Sequence, residues 1–490
     1  MSHSPQGAPG CRVATSVPPS GECPQREQLS MGTPRARLVL FTTILGSGIA
    51  LLDGTVVNVA LTRIGRDLEA DLAGLQWVVN GYALALASLI LLGGSLGDRF
   101  GRARVYAIGT AGFGLASIGC ALAPTIETLV LARVVQGVAA AMLVPGSLAI
   151  LQASFTREHR MAAIGAWTGL SGVASAAGPV VGGWLVDRDW RLAFWVNLPL
   201  AALVVWLTLT RVPESRDTDG DHRFDRAGVV LAVVALGALT YALTVGPAGG
   251  GVGGGAVTWV AAGVGVLAAV GFVVAERRST HPLVPPRLFA DRTFTVVNVV
   301  TLLVYAGLSA ALLFLVLFLQ VVAGWSALAA GTASLPLSLA MLLLASRFGT
   351  LSARHGPRLY MVAGTVCAAA GFVLLGFAPR DPTYVTAVLP GIALVGLGLS
   401  MLVAPLTGTV LAAAPDALAG TASGVNNAVA RTAGLLAVAA LPPLVGLAGE
   451  AYADPDAMAS AYRAAMWVCA GLVAAGAVLT ATALPRRPAS

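Results

Sequence analysis

The sequence predicts an all-α polytopic membrane protein with fourteen transmembrane helices, arranged as two six-helix bundles plus two inserted central helices. Three observations carry this expectation. The 490 residues are 57% hydrophobic and only 11% charged, a composition foreign to soluble domains. Fourteen apolar runs each approach the roughly 20 residues that a helix needs to cross a bilayer. A short motif also occurs twice, and its copies lie eight runs apart.

The first six runs cover 37–61, 75–97, 104–123, 126–152, 162–186 and 191–211. Two more cover 226–246 and 257–276, and the last six cover 293–320, 328–349, 358–378, 384–412, 421–447 and 462–484. The repeated motif lays Gly94-Ser95-Leu96-Gly97-Asp98-Arg99-Phe100-Gly101 over Gly349-Thr350-Leu351-Ser352-Ala353-Arg354-His355-Gly356, an offset of 255 at which Gly, Leu, Arg and Gly coincide. One copy follows the second run and the other follows the tenth. Two six-helix halves separated by an extra pair explain that displacement, and repeated halves are common in secondary transporters.

The expected organisation is therefore a disordered cytoplasmic tail at 1–36, a bundle at 37–211, a linker carrying the inserted helices at 212–291, a second bundle at 292–484 and a tail at 485–490. The leading segment is rich in Pro, Ser, Gly and Arg and lacks the apolar core of a cleavable signal peptide. Met31 stands just before the first run and is read as the natural start. The Gly-rich stretch 246–255 joins the inserted pair as a flexible hairpin, because its loose GxG patterns follow no strand and hold no cation.

Charge narrows the function. All 30 basic residues are arginine, against 23 acids, for a net charge of +7. Without lysine there is no P-loop, no pyridoxal Schiff base and no kinase strand lysine, so ATP-driven transport by this chain is not expected. With the amino terminus inside, 22 of the 30 arginines fall in cytoplasmic segments, 6 in outer loops and 2 within runs. That bias sets the orientation, with both termini cytoplasmic. The arginines sit in short loops instead of on one soluble face, which argues against a nucleic-acid partner. Cysteines 11, 23, 120, 367 and 469 form no close pair, so neither a disulfide framework nor a metal site is expected.

Four segments carry chemistry. Leu52-Asp53-Gly54-Thr55-Val56-Val57-Asn58-Val59-Ala60-Leu61 puts an acid deep in the first run. A carboxyl group in low dielectric favours its neutral form and a neighbouring cation favours the carboxylate, so such a group can load and release a proton. A structural ion pair is the plainer alternative. Gly94, Asp98, Arg99, Gly101 and Arg102 form a tight turn after the second run. Leu129-Val130-Leu131-Ala132-Arg133-Val134-Val135-Gln136-Gly137 places Arg133 about 10 to 12 Å from the outer end of the fourth run, the depth of Asp53 in the first. Arg133 can thus pair with Asp53, or it simply ties helices together. Gln136 lies one turn deeper. Finally Gly165 and Gly178-Pro179-Val180-Val181-Gly182-Gly183 supply small residues for close packing and a proline for a bend.

These segments, in order, resemble the major facilitator superfamily and, within it, the fourteen-helix drug:proton antiporters. The resemblance covers 37–484 and extends to Trp190-Arg191-Leu192-Ala193-Phe194-Trp195-Val196-Asn197-Leu198-Pro199, to Leu335-Pro336, to Pro405 and to Gly420-Thr421-Ala422-Ser423-Gly424-Val425-Asn426-Asn427. Departures are Thr62, where proline is usual, Ala103, where a basic residue is common, and Ala174, often glycine. The resemblance implies proton-coupled export of hydrophobic small molecules such as drugs, antibiotics or lipophilic metabolites, by alternating access. It implies that Asp53 and Arg133 couple the proton. It further implies that the turn around Asp98 latches the cytoplasmic face against a helix terminus of the other half, and that the Gly178–Gly183 segment marks an antiporter. Protons are the coupling ion, no cofactor is expected, and the partners are a small hydrophobic substrate and the lipid bilayer. The expected form is a monomer in the inner (plasma) membrane.

Candidate substrate-binding residues are Asn80, Gln136, Tyr305, Asn427 and Arg431. Arg431, near mid-membrane in the thirteenth run, either binds an anionic or polar substrate group or stabilises packing by bonding to carbonyls. Trp167, Tyr305 and Phe314 are weaker candidates for a cavity lining. Histidines 3, 159, 222, 281 and 355 all lie in the tail or cytoplasmic loops, so none can relay protons within the membrane. The rival readings are a proton-coupled symporter importing a metabolite, a membrane-embedded lipid-modifying enzyme and a passive sensor. The enzyme reading lacks any HExxH, acidic metal cluster or Ser/His/acid set in the runs, so no enzymatic activity is expected.

Overall fold

The computed structural model describes residues 29–216, 225–246, 255–280, 282–415 and 418–484, and it is helical nearly throughout. The helices of the first part are α1 (Pro34–Asp67), α2 (Leu72–Phe100), α3 (Arg102–Ala121), α4 (Ile126–Ser154), α5 (Arg157–Val186), α6 (Leu192–Trp195) and α7 (Asn197–Arg211). Then come α8 (Arg226–Val245) and α9 (Ala256–Arg278). The last part holds α10 (Arg292–Val321), α11 (Ala327–Thr332), α12 (Leu335–His355), α13 (Pro357–Gly376), α14 (Leu389–Ala412), α15 (Ala419–Leu444) and α16 (Pro455–Ala483). Among the described residues, twelve helical stretches have the length and apolarity to cross a membrane. Helices α3 and α5 stand outside those twelve. The first opens on Arg102 and Arg104 and is diluted by four glycines, and part of the second is not described at side-chain level.

Local chemistry sets the helix ends. Thr33 caps α1 by accepting from the Ala36 amide at 3.2 Å, with Pro34 at the first helical position. Asp71 caps α2, Asp291 caps α10 and Asp454 caps α16. Thr125 and Thr128 cap α4 reciprocally. The repeat seen in the sequence has a backbone cause. Gly101 and Gly356 each close one helix and open the next, at φ of 111° and 90°, a region open to glycine at little cost.

Helices cross closely where glycine removes the side chain. A Cβ at Gly93 would lie 1.9 Å from the Ala141 carbonyl oxygen, and one at Gly137 would lie 2.4 Å from that of Tyr82, so α2 and α4 meet backbone to backbone. Internal prolines bend α4 at Pro145, α5 at Pro179, α14 at Pro405 and α15 at Pro442 and Pro443. The inserted pair α8 and α9 pack on each other, and α8 also lies against α2 and α15.

The amino-terminal expectation needs correction. Order begins before residue 36: Leu29 is buried, its amide donates to the Ser154 carbonyl at 2.8 Å, and its carbonyl accepts from Thr156. An apolar side chain with a groove available docks even in a polar segment. Leu29 also precedes Met31. Residues 1–28, the stretch 247–254 of the expected hairpin, and the tail 485–490 lie outside the described residues.

Candidate functional site

Asp53 lies at the centre of the first part, fully buried, and every partner it has comes from another helix. Its Oδ2 takes Arg133 Nη1 at 2.5 Å, and its Oδ1 accepts from Gln136 Nε2 at 3.1 Å and from Asn197 Nδ2 at 2.9 Å. Arg133, 1% exposed, also donates from Nε to the Val78 carbonyl at 3.1 Å and from Nη1 to Gln136 Oε1 at 2.5 Å. Gln136 Nε2 donates onward to Ser117 Oγ at 2.8 Å. The guanidinium stacks over the Tyr82 ring at 4.4 Å, with Phe194 at 5.8 Å. Five helices, α1, α2, α3, α4 and α7, thus converge on one carboxylate.

The depth match of Asp53 and Arg133 expected from helix counting is a direct contact in the fold. Gln136, expected one turn deeper, reaches back to the same carboxylate because its side chain is long. Sequence reading missed Asn197, Ser117 and Tyr82. Asn197 was quoted only as part of the approach to the sixth run. The available signal was an amide at the first position of a helix, in a stretch otherwise apolar.

The other candidates scatter. Asn80 is fully buried, and neither its Oδ1 nor its Nδ2 has a partner. Asn427 is exposed and its neighbour makes the contacts instead: Asn426 Nδ2 donates to Thr301 Oγ1 at 2.8 Å and to Asn298 Oδ1 at 3.1 Å. Tyr305 is on α10 and Arg431 on α15, two helices that pack on each other, and α15 also packs on α2. Phe314 is a core residue, and Trp167 Nε1 donates to Ser47 Oγ at 3.1 Å.

The turn motif makes local contacts in this structure. Asp98 pairs with Arg102 in its own turn at 2.8 Å instead of meeting a helix terminus of the other half. The acid at the α3 amino terminus is Glu214, whose carboxylate accepts from the Ala103 and Arg104 amides at 3.1 Å. It lies against Gly101, where a Cβ would come within 2.7 Å of it. Gly94 keeps ordinary contact with Pro145, and Arg99 stacks on Phe100.

The glycines of α5 let it touch both sides. A Cβ at Gly178 would lie 2.0 Å from Thr55 Oγ1, and one at Gly182 would lie 2.6 Å from Val56, both on α1. A Cβ at Gly183 would lie 2.5 Å from the Leu328 Cα, and one at Gly331 would lie 2.4 Å from the Pro179 carbonyl oxygen, so α5 and α11 also meet backbone to backbone. At the same end Asp187 accepts from the Ala327 amide at 2.9 Å and the Leu328 amide at 3.3 Å. Gln76 Nε2 donates to the Val438 carbonyl at 2.7 Å, Tyr452 donates to that of Ala70 at 3.0 Å, and Thr62 donates to Gln320. This end, where α1 finishes and α2 begins, is shut.

A family model described as Major Facilitator Superfamily matches residues 43–439. The chain belongs to the major facilitator superfamily. As a member of that superfamily it is a multi-pass membrane transporter and not an enzyme. It is 38% identical over 399 residues to the multidrug resistance protein Stp of Mycobacterium tuberculosis, covering 80% of this chain and 72% of that one. It is 34% identical over 457 residues to the tetracenomycin C resistance and export protein of Streptomyces glaucescens, covering 92% and 84%. Among solved structures, a POT family transporter in complex with a thioalcohol-conjugated peptide superimposes with a TM-score of 0.69 over 94% of this chain and 99% of that one. At 14% identity that likeness shows the major facilitator fold alone.

Proposed function

We propose that the chain is a drug-efflux transporter of fourteen spans, which exports hydrophobic small molecules in exchange for protons by alternating access. Resistance and export proteins among its relatives support the direction. The fourteen-span count rests on the helices α3 and α5 joining the other twelve, and on the arginine bias that an odd count would scramble. On that count the two halves are six-helix bundles at 37–211 and 292–484, joined by the inserted pair, and both termini are cytoplasmic. Its bacterial relatives support a plasma-membrane setting. The shut end is then the outer one, which supports reading this as a state closed to the outside. The unlatched Asp98 turn fits that state.

One observation carries the coupling: a fully buried carboxylate held by Arg133, Gln136 and Asn197. When Asp53 takes a proton it gives up its charge, and Arg133 must find other acceptors. That shifts α1 against α4 and couples protonation to helix packing. One carboxylate implies about one proton per cycle. No further cofactor is required, and nothing in the site needs a second copy of the chain.

The test uses inside-out vesicles with an acidified lumen. Adding a lipophilic substrate is expected to release lumenal protons, read with a pH-gradient dye, and Asp53→Asn is expected to abolish both the proton release and uphill substrate movement. Uphill accumulation at the normal rate in Asp53→Asn would sink the mechanism.

A further inference from the structure

The second part holds a cation that the Asp53 cluster does not use. Arg431 sits at the middle of α15, half-buried, and among the described residues it has neither a hydrogen bond nor an ion pair. The packing role open to it, bonding to helix carbonyls, is therefore not filled. Asp53 and Arg133 neutralise each other, so Arg431 is an uncompensated charge at mid-helix. An uncompensated charge at that depth marks a ligand path more often than a structural one.

Helix register shows what surrounds it. Helix α15 runs antiparallel to α2: a side chain at Gly424 would meet Leu91 at 3.1 Å, and Gln76 donates to Val438. Arg431 lies halfway between Gly424 and Val438, and halfway between Leu91 and Gln76 lie Ala83 and Leu84, next to Tyr82. Against α10 the helix runs parallel. Asn426 bonds Thr301, and a Cβ at Gly434 would lie 2.7 Å from Ser309 Oγ, both at an offset of 125. The same offset sets Arg431 opposite Ala306, next to Tyr305. Three donors therefore share one level: the guanidinium and two tyrosine hydroxyls, neither of which has a hydrogen-bond partner among the described residues. The Tyr82 ring also carries Arg133, whose guanidinium lies 4.4 Å from the ring centroid.

We infer that Arg431, Tyr305 and Tyr82 bind the oxyanion of the substrate, and that the exported class is a lipophilic organic monoanion such as a carboxylate, phenolate or enolate. A guanidinium and two phenols are all donors toward such a group, and they provide no acid to greet a cation. The Tyr82 ring would link the bound anion to the coupling arginine. Exchange of a monoanion for one proton moves two charges inward per cycle, so the membrane potential adds to the proton gradient. This inference rests on the export reading for its physiological direction but not for binding.

The test is equilibrium binding to the purified full chain in detergent at neutral pH. The probes are 9-anthracenecarboxylate, its neutral carboxamide and 9-anthracenemethylammonium, three fluorophores of one shape. The carboxylate is expected to bind at least about tenfold more tightly than the other two, the scale of a charge-assisted contact. Arg431→Gln is expected to remove that preference while leaving carboxamide binding unchanged, and Arg431→Lys to restore part of it. Tyr305→Phe is expected to weaken the carboxylate about threefold. Among the described residues Arg431 has no hydrogen bond or ion pair, so an unchanged melting temperature and gel-filtration profile of Arg431→Gln keep the comparison clean. An undiminished carboxylate preference in Arg431→Gln, or tighter binding of the ammonium by wild type, would overturn the anion site. Proton release in vesicles is scored separately. Its loss alongside an intact carboxylate preference would overturn proton-coupled export and leave the anion site standing.

Discussion

The two arginines that lie deep within helices meet opposite fates. Arg133, in α4, is firmly held: a carboxylate, a carbonyl and an amide oxygen each accept from it, and an aromatic ring covers its face. Among the described residues, Arg431 in α15 has neither a hydrogen bond nor an ion pair. The difference separates two uses of an expensive group. A buried charge that is fully matched holds helices in register, and a charge left unmatched at the same kind of depth waits for something that arrives from outside. In this chain the first part holds a closed network, and on the proposed anion site the second part acts as the receptor.

The sharpest way to break that contrast is to remove each arginine in turn. Arg133→Gln leaves Asp53 without its counter-charge and is expected to cost about 3–5 kcal/mol of stability, seen as a large fall in melting temperature in detergent together with loss of transport. Restoring neutrality in Arg133→Gln/Asp53→Asn should return much of the stability and none of the transport. Next in size is Gly331→Leu. It forces a side chain into a contact with no room for a methyl group, and overpacking of this kind costs about 1–3 kcal/mol. The expected readout is loss of export with the protein still folded, because the end where α5 meets α11 cannot shut. Asp187→Asn removes the charged cap on α11 and is expected to cost about 1 kcal/mol, with faster labelling of a cysteine placed at Ser334 by a membrane-impermeant thiol reagent added outside. At the small end, Arg431→Gln is expected to change melting by no more than about 0.5 kcal/mol. If it destabilises as much as Arg133→Gln, the two arginines are alike and the contrast is gone.

Much of this was legible in the sequence because charge is conspicuous in an apolar background. Asp53 and Arg133 announce themselves, and the same 1.5 Å rise per residue that places one places the other. The offset of 255 was readable because a left-handed turn leaves a glycine at both copies, Gly101 and Gly356. Uncharged partners gave no such signal. Asn197, Ser117 and Tyr82 look like ordinary residues of interfacial or apolar stretches, and only the tertiary fold turns them toward Asp53. Asn427 was chosen over Asn426, although consecutive residues on a helix point about 100° apart and only one faces α10. Glu214 was missed because the acid that caps α3 lies more than a hundred residues beyond the turn it serves.

The backbone contact of Gly183 and Gly331 with the facing helix has a consequence for leakage. A carrier driven by protons loses its gradient if a file of waters ever threads the membrane, because protons hop along such a file far faster than any helix can rock. At this seal a Cβ would overlap the opposing main chain at 2.4–2.5 Å, so where a single methyl group does not fit, neither does a water. On the proposed proton-driven cycle, the residues with the least side chain thus act as electrical insulation, and enlarging either one is expected to threaten closure before it threatens folding.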